Sequence, residues 1–251
     1  MTKKTLFARI DRPRQLNQIE RSLRRFLEGL DARAEVVGVV ADKWPQIEIS
    51  GEDEGILTNY IAREIGFCPE KIQAVKKYAT LKGYVAGLDE DGEGLKVDVG
   101  IFEPSTLNAI VPLDHLRAQL ADGKEVDIKK IAESYGFCKG LPLQLKVTNI
   151  DRKENRMEME LSTAQVVKYK LWIESLLDRL IVIGATRDEI QKALDHTGLI
   201  RDVINVESLG FFEHALTCKI GTDAVGIVSI AGRRLRSAKF TVFNPRKLWK
   251  T

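Results

Sequence analysis

The chain has 251 residues, 44% of them hydrophobic and 30% charged, with a formal net charge of +3. That length exceeds one typical core and calls for two or three domains. No apolar run reaches the ~18 residues of a membrane span, and MTKKTLFARIDRPRQ has no apolar stretch behind its lysines, so neither membrane nor secretion is expected and the cytoplasm is the expected compartment.

KTLFARI (4–10) reads as a strand. Leu16, Ile19, Leu23, Phe26, Leu27 and Leu30 then recur at three- and four-residue steps, a helix that Arg12-Pro13 opens. AEVVGVVA (34–41) and PQIEIS (45–50) follow as strands, with Ser50 placed to cap a helix over about 52–65 that Gly66 ends. The order is β-α-β-β-α. The far end repeats it. RLIVIG (179–184) is a strand, Thr186 and Glu189 form a capping box, and the helix runs to Gly198. DVINVES (202–208) and FFEHALTCKI (211–220) alternate as strands, Thr222 is placed to cap a second helix, and KFTVF (239–243) is a last strand. EISGEDEGIL (48–57) echoes KIGTDAVGIV (219–228). The shared element order argues better than the echo for two ferredoxin-like units.

The centre, 81–163, opens with two strands around an acidic turn, LKGYVAGLDEDGEGLKVDVG. NAIVPLDHLRAQL gives a strand and a short helix, and DIKKIAESYGF a second short helix. In LQLKVTNIDRKENRMEMELS (143–162), Leu143, Leu145 and Val147 alternate with polar residues, as do Met157, Met159 and Leu161 beyond the turn 151–155. That is a hairpin with one face buried and one wet.

These residues carry a resemblance. Gly83-Tyr84-Val85, Val97-Asp98-Val99-Gly100, Ile110-Val111-Pro112-Leu113, and Lys146-Val147 through Asp151, Arg156, Leu161 and Ser162 resemble the pattern of an S1-type OB-fold, the RNA-binding module of ribosomal protein S1. The resemblance implies a five-stranded barrel. The whole arrangement also resembles an uncharacterised protein family of archaea and, in its parts only, archaeal initiation factor 2 alpha. The fold expected is therefore α+β, a central S1-like OB barrel (81–163) flanked by ferredoxin-like domains at 1–80 and 164–251. The S1 pattern places aromatics and a histidine where this chain has Asp91, Gly92, Glu93, Leu95 and Pro112. Tyr84, Phe102 and Arg156 are what it leaves as candidate stackers or phosphate partners.

Charge is uneven. Residues 1–85 are net +3, 86–163 net −5 and 164–251 net +5. The last nineteen residues hold seven basic and no acidic residues. Phosphate neutralisation dominates affinity for nucleic acids, so the ends are the candidate RNA contacts. They are Arg233, Arg234, Arg236, Lys239, Arg246, Lys247 and Lys250 with Trp249, and Arg21, Arg24 and Arg25 on the first helix. For each group the alternative is an ordinary solvated surface.

Cys68, Cys138 and Cys218 show no paired or zinc spacing, and IAREIGFC and IAESYGFC read as helices ended by Gly66 and Gly136. His115, His196 and His214 form no ligand set with them. Asp89, Glu90, Asp91 and Glu93 lack the order of a calcium loop. No phosphate loop or activated nucleophile stands out. The expectation is a non-catalytic protein without cofactor or metal that binds ribosomal or other structured RNA, with ribosomal or translation proteins as further partners. The alternative is a protein adaptor whose acidic barrel docks a basic partner.

Overall fold

The computed structural model describes residues 1–89 and 91–248. Among the candidates read from the sequence, Glu90, Trp249 and Lys250 lie outside the described residues. The chain forms two compact units, Met1–Ala74 with Gly100–Thr106, and Val75–Val99 with Leu107 onward.

In the first unit, β1 (Thr2–Thr5) leads into helix α1 (Pro13–Phe26). Pro13 opens it, and the Gln15 side-chain oxygen accepts from the backbone N–H groups of Asp11 (2.8 Å) and Arg12 (3.1 Å). Two orphan donors at the helix start are thereby satisfied. Ile19 and Leu23 bury the inner face, four residues apart. Strands β2 (Ala32–Val40) and β3 (Trp44–Gly51) follow, then α2 (Glu54–Glu64) and the two-residue β4 (Glu70–Lys71). The sheet order is β1-β3-β2, both pairings antiparallel. Ser50 is not the cap expected for α2. It lies in β3, and Asp53 takes the cap position, its carboxylate accepting from the Asp31 N–H at 2.9 Å.

The second unit begins with β5 (Thr80–Leu88), β6 (Gly94–Glu103) and β7 (Leu107–Pro112). The last residues of β6 belong to the first unit, where Ile101 and Glu103 pair with β4. Helices α3 (Leu113–Leu120) and α4 (Ile128–Tyr135) precede β8 (Pro142–Asp151) and β9 (Arg156–Leu161). Strand β5 pairs with β6 and β8, β8 with β9, β9 with β7 in parallel, and β7 with β6. This circuit is a closed five-stranded barrel, compatible with an OB fold. The hairpin read from 143–162 supplies two of its strands. Its charged tip folds on Asp151, whose side chain accepts from the N–H groups of Lys153 (2.9 Å) and Glu154 (3.1 Å). Gly83 is forced by closeness: a Cβ there would meet Leu145 Cδ1 at 2.8 Å.

Helix α5 (Thr163–Glu174), capped by Ser162, joins the barrel to β10 (Arg179–Ile183), α6 (Arg187–Thr197), β11 (Val203–Ser208), β12 (Glu213–Cys218), α7 (Ala224–Ala231) and β13 (Lys239–Phe243). These strands form a four-stranded antiparallel sheet, β11-β12-β10-β13. The capping box at Thr186 is present, and Gly198 ends α6 in the left-handed conformation. At α7 the expected cap Thr222 yields to Asp223, whose carboxylate accepts from the N–H groups of Val225 and Gly226. Tyr135, Phe137, Tyr169, Trp172 and Phe243 pack ring against ring, so α4, α5 and β13 share one aromatic core. The protein is mixed α+β, and in chain order the barrel strands come between two segments that form sheets with helices. Among the described residues, no helix is long and apolar enough to cross a membrane.

Candidate nucleic-acid interface

Arg233, Arg234 and Arg236 follow directly on α7, and all three are exposed. A cation suits the negative end of a helix, so Arg233 and Arg234 have a local reason to stand there. Lys239 begins β13, while Arg246 and Lys247 lie in the 3₁₀ turn beyond its end. All six are exposed. The basic segment is therefore not one patch. A five-residue strand divides it into two groups about 13 Å apart by strand rise. Lys239 lies opposite Ile183, whereas Arg246 lies beyond Phe243, which is opposite Arg179. Among the described residues, none of the six has a carboxylate oxygen within salt-bridge distance. Other lysines are paired, such as Lys168 with Glu207 (2.7 Å) and Lys96 with Asp89 (2.8 Å).

Arg246 lines a hollow of about 220 Å³ with Asp178, Lys219, Thr222 and Asp223. Burial raises the Asp178 carboxyl above the ordinary range, and the positive charge of Arg246 opposes that. Two carboxylates facing two cations leave this hollow without a clear preference for an anion.

In the first unit, Arg21, Arg24 and Arg25 are exposed on α1. Arg24 and Arg25 stand in the last turn, where the helix dipole favours them. Arg25 donates to Ser22 Oγ at 3.2 Å. Arg24 lines a groove of about 450 Å³ between α1 and β2, with Glu20, Leu23, Arg33 and Glu35.

The barrel candidates fare differently. Tyr84 is 1% exposed, and its hydroxyl donates to the Glu213 carboxylate of β12 at 3.3 Å. A ring so covered offers no face to a base. The cause is tertiary: the outward side of β5 is roofed by the C-terminal sheet, where a Cβ at Gly140 would meet Ile183 Cγ2 at 3.3 Å. Phe102 is half-buried. Arg156 is exposed and pairs loosely with Glu154 at 3.5 Å.

The helix-ending glycines have positive φ, +94° at Gly66 and +69° at Gly136. Burial pushes the Cys138 and Cys218 thiols up to about 11, away from the thiolate that nucleophilic chemistry needs.

Sequence reasoning passed over Tyr78. It is 65% exposed, more than any other described aromatic residue, with Lys77 Nζ 5.3 Å and Lys146 Nζ 5.7 Å from its ring centroid. The one available signal was the triplet Lys76-Lys77-Tyr78 ahead of the first barrel strand.

Three family models span nearly the whole chain: the DUF2110 N-terminal domain matches residues 3–71, the central domain 75–173 and the C-terminal domain 177–243. The chain belongs to the DUF2110 family. No curated protein matches it. Among solved structures, an uncharacterized protein from Methanocaldococcus jannaschii is 7% identical, with a TM-score of 0.25 over 36% of this chain and 95% of that one. The a/eIF2alpha-aDim2p-rRNA complex from Pyrococcus horikoshii OT3 gives 16% identity and a TM-score of 0.27 over 50% of this chain and 60% of its own. The K3L protein from vaccinia virus gives 17% identity and a TM-score of 0.23 over 35% and 89%. Scores this low say nothing about what the DUF2110 chain binds.

Proposed function

We propose that this DUF2110 protein is a non-catalytic RNA-binding protein that holds structured RNA, ribosomal or otherwise translation-associated, through its basic ends. The observation that carries the reading is the set of six exposed cations at Arg233, Arg234, Arg236, Lys239, Arg246 and Lys247, none of them within salt-bridge distance of a carboxylate among the described residues. Unpaired exposed cations keep their full charge available to phosphates. In this reading the barrel is an S1-type OB module at 81–163, and the ends at 1–80 and 164–251 are ferredoxin-like domains. The strand order β13-β10-β12-β11 supports the name at the C-terminal end, since it is the fourth-first-third-second order of that fold. The translational setting rests on the S1-like barrel.

The test is RNA affinity of wild type and of Arg233→Ala/Arg234→Ala/Arg236→Ala across a salt series, using a labelled RNA hairpin. Three lost phosphate contacts should flatten the slope of log affinity against log salt by roughly 2–3 and weaken binding alike for hairpins of different sequence. A triple variant that binds as wild type does sinks the placement. A wild type that binds no hairpin at low salt sinks the RNA reading and leaves the adaptor.

A further inference from the structure

We infer that Tyr78, with Lys77 and Lys146, forms a stacking platform on the barrel for a base of single-stranded nucleic acid. This goes beyond the terminal groups, since it uses different residues and a different form of nucleic acid. Three observations converge. The first is exposure: Tyr78 is 65% exposed, so its ring contributes little to any core. The second is the pair of ammonium groups at 5.3 Å and 5.7 Å from the ring centroid, Lys77 from the adjoining turn and Lys146 from β8. Lys76 is exposed next in the chain, and the Arg152 guanidinium donates to the Val75 carbonyl at 3.1 Å. Ammonium groups therefore stand over the ring from the turn and from β8. Of the two ring-flanking lysines, Lys146 also pairs with Glu160 at 3.1 Å.

The third observation is the backbone. Tyr78 has φ +68°, a left-handed conformation that favours glycine and that a bulky side chain seldom adopts. The turn is fixed: Tyr78 N–H donates to the Val147 carbonyl (2.9 Å), Ala79 N–H to the Lys76 carbonyl (3.1 Å), and Val147 N–H to the Ala79 carbonyl (3.0 Å). A large aromatic thus stands where the backbone alone would choose glycine, and it packs against almost nothing. An exposed ring on a fixed turn, with mobile lysine ammonium groups over it, has the chemistry of a base platform: every base has a π face that can take the ring, and the neighbouring phosphates meet the ammonium groups. A protein ligand would want an apolar surround, and here the surround is cationic.

The experiment measures binding of fluorescein-labelled 12-nucleotide oligouridine and oligoadenosine by anisotropy, alongside thermal unfolding. Tyr78→Gly should lose about 5- to 150-fold in affinity for both oligomers, while its Tm stays equal or rises because glycine suits the positive φ. Tyr78→Phe should stay within about twofold of wild type, because it keeps the ring. Lys77→Ala/Lys146→Ala should flatten the salt slope by roughly 1.4, two contacts at ~0.7 each for a single strand. Gly and wild-type affinities within twofold would overturn the platform, as would equal losses for Gly and Phe. The RNA hairpin keeps the two ideas apart. If hairpin binding depends on Arg233, Arg234 and Arg236 while the oligomers do not bind, the platform fails and the terminal reading stands. If the oligomers need Tyr78 and the hairpin ignores the arginines, only the terminal placement fails.

Discussion

The two ends of the chain weave their sheets in one order and differ in how they finish them. In the N-terminal unit the order is β1-β3-β2, with α1 after the first strand and α2 after the third. At the C-terminal end β10, β12 and β11 stand in the same order, with α6 and α7 in the same places. There the chain then returns as β13 and pairs with β10 over five residues. At the N-terminal end the return is a single bridge between Leu6 and Phe67, supported by Phe7 N–H to the Gly66 carbonyl and Cys68 N–H to the Thr5 carbonyl, both 2.9 Å. Gly66 turns the chain back immediately after α2. After α7 a loop of residues 232–238 intervenes, and it carries Arg233, Arg234 and Arg236. Three of the candidate RNA contacts, Arg233, Arg234 and Arg236, thus sit in a loop that one copy of the plan has and the other lacks.

The largest expected effect tests whether the fourth strand matters unequally. Phe243 is 0% exposed and touches the rings of Tyr135, Tyr169 and Trp172. Phe243→Ala should cost about 3–5 kcal/mol by the usual penalty for emptying a core ring site. Phe67 is only half-buried, and Phe67→Ala should cost roughly 1 kcal/mol. Urea unfolding of both variants decides it, and equal losses would mean that the short return is as structural as the long one.

Acid should separate the two ends next. All three histidines lie outside the N-terminal unit. Burial, reinforced by the charge of Arg187, lowers His214 to about 4 from its usual 6.5. A lowered folded value means that the unfolded chain takes up a proton the native chain refuses. Stability of the C-terminal sheet should therefore be full above pH 6.5 and fall toward pH 4, by roughly 3 kcal/mol at the end of that window. Asp178, raised by burial above the usual 3.8, works in the opposite sense, since its earlier proton uptake favours the fold as pH falls toward that value. In the N-terminal unit, hydrogen bonds from Thr2 and the N-terminal ammonium hold Glu54 below 4.5, so that unit's loss from this carboxylate begins only as pH drops through 4.5. Unfolding followed from pH 7.5 to 4.5 should show the slope in wild type and not in His214→Gln. A slope that persists in the variant would place its origin elsewhere.

Much of this comparison was readable in the chain. Period-two alternation marked the hairpin of β8 and β9, and the Thr186 capping box marked α6. What failed did so for physical reasons. Helix α5 carries Val166, Val167, Leu171, Trp172 and Ile173 on more than one face, so it shows no single apolar stripe. Thr222 lost its cap to Asp223, because neighbouring short polar side chains can each accept at a helix start, and Ser50 lost its place because β3 runs on to Gly51, leaving the cap position to Asp53. The echo of 48–57 in 219–228 aligns Ile49, 0% exposed in β3, with Ile220, 82% exposed beyond β12, so it is no structural equivalence. The burial of Tyr84 depends on Glu213, 129 residues away. The basic tail looked like one patch because sequence shows proximity along the chain and hides the strand that separates Lys239 from Arg246.

The smallest effect sharpens what the extra loop is for. If 232–238 exists to let β13 reach its full length, its arginines are structural and their loss should cost stability. If it exists to present charge, the fold should scarcely notice. Arg236 Nε donates to the Arg233 carbonyl at 3.3 Å, an exposed contact within the loop, whereas Leu235 of the same loop is 8% exposed and anchors it to the sheet's core. The anchoring thus belongs to Leu235 and the charge is left to solvent. Replacing Arg233, Arg234 and Arg236 by alanine should change unfolding free energy within about 0.5 kcal/mol per residue, as exposed substitutions usually do, whereas Leu235→Ala should cost about 2–5 kcal/mol. Urea unfolding of the two variants side by side reads the division. A triple arginine variant as unstable as Leu235→Ala would make the loop's charge part of the fold and remove it from the RNA argument.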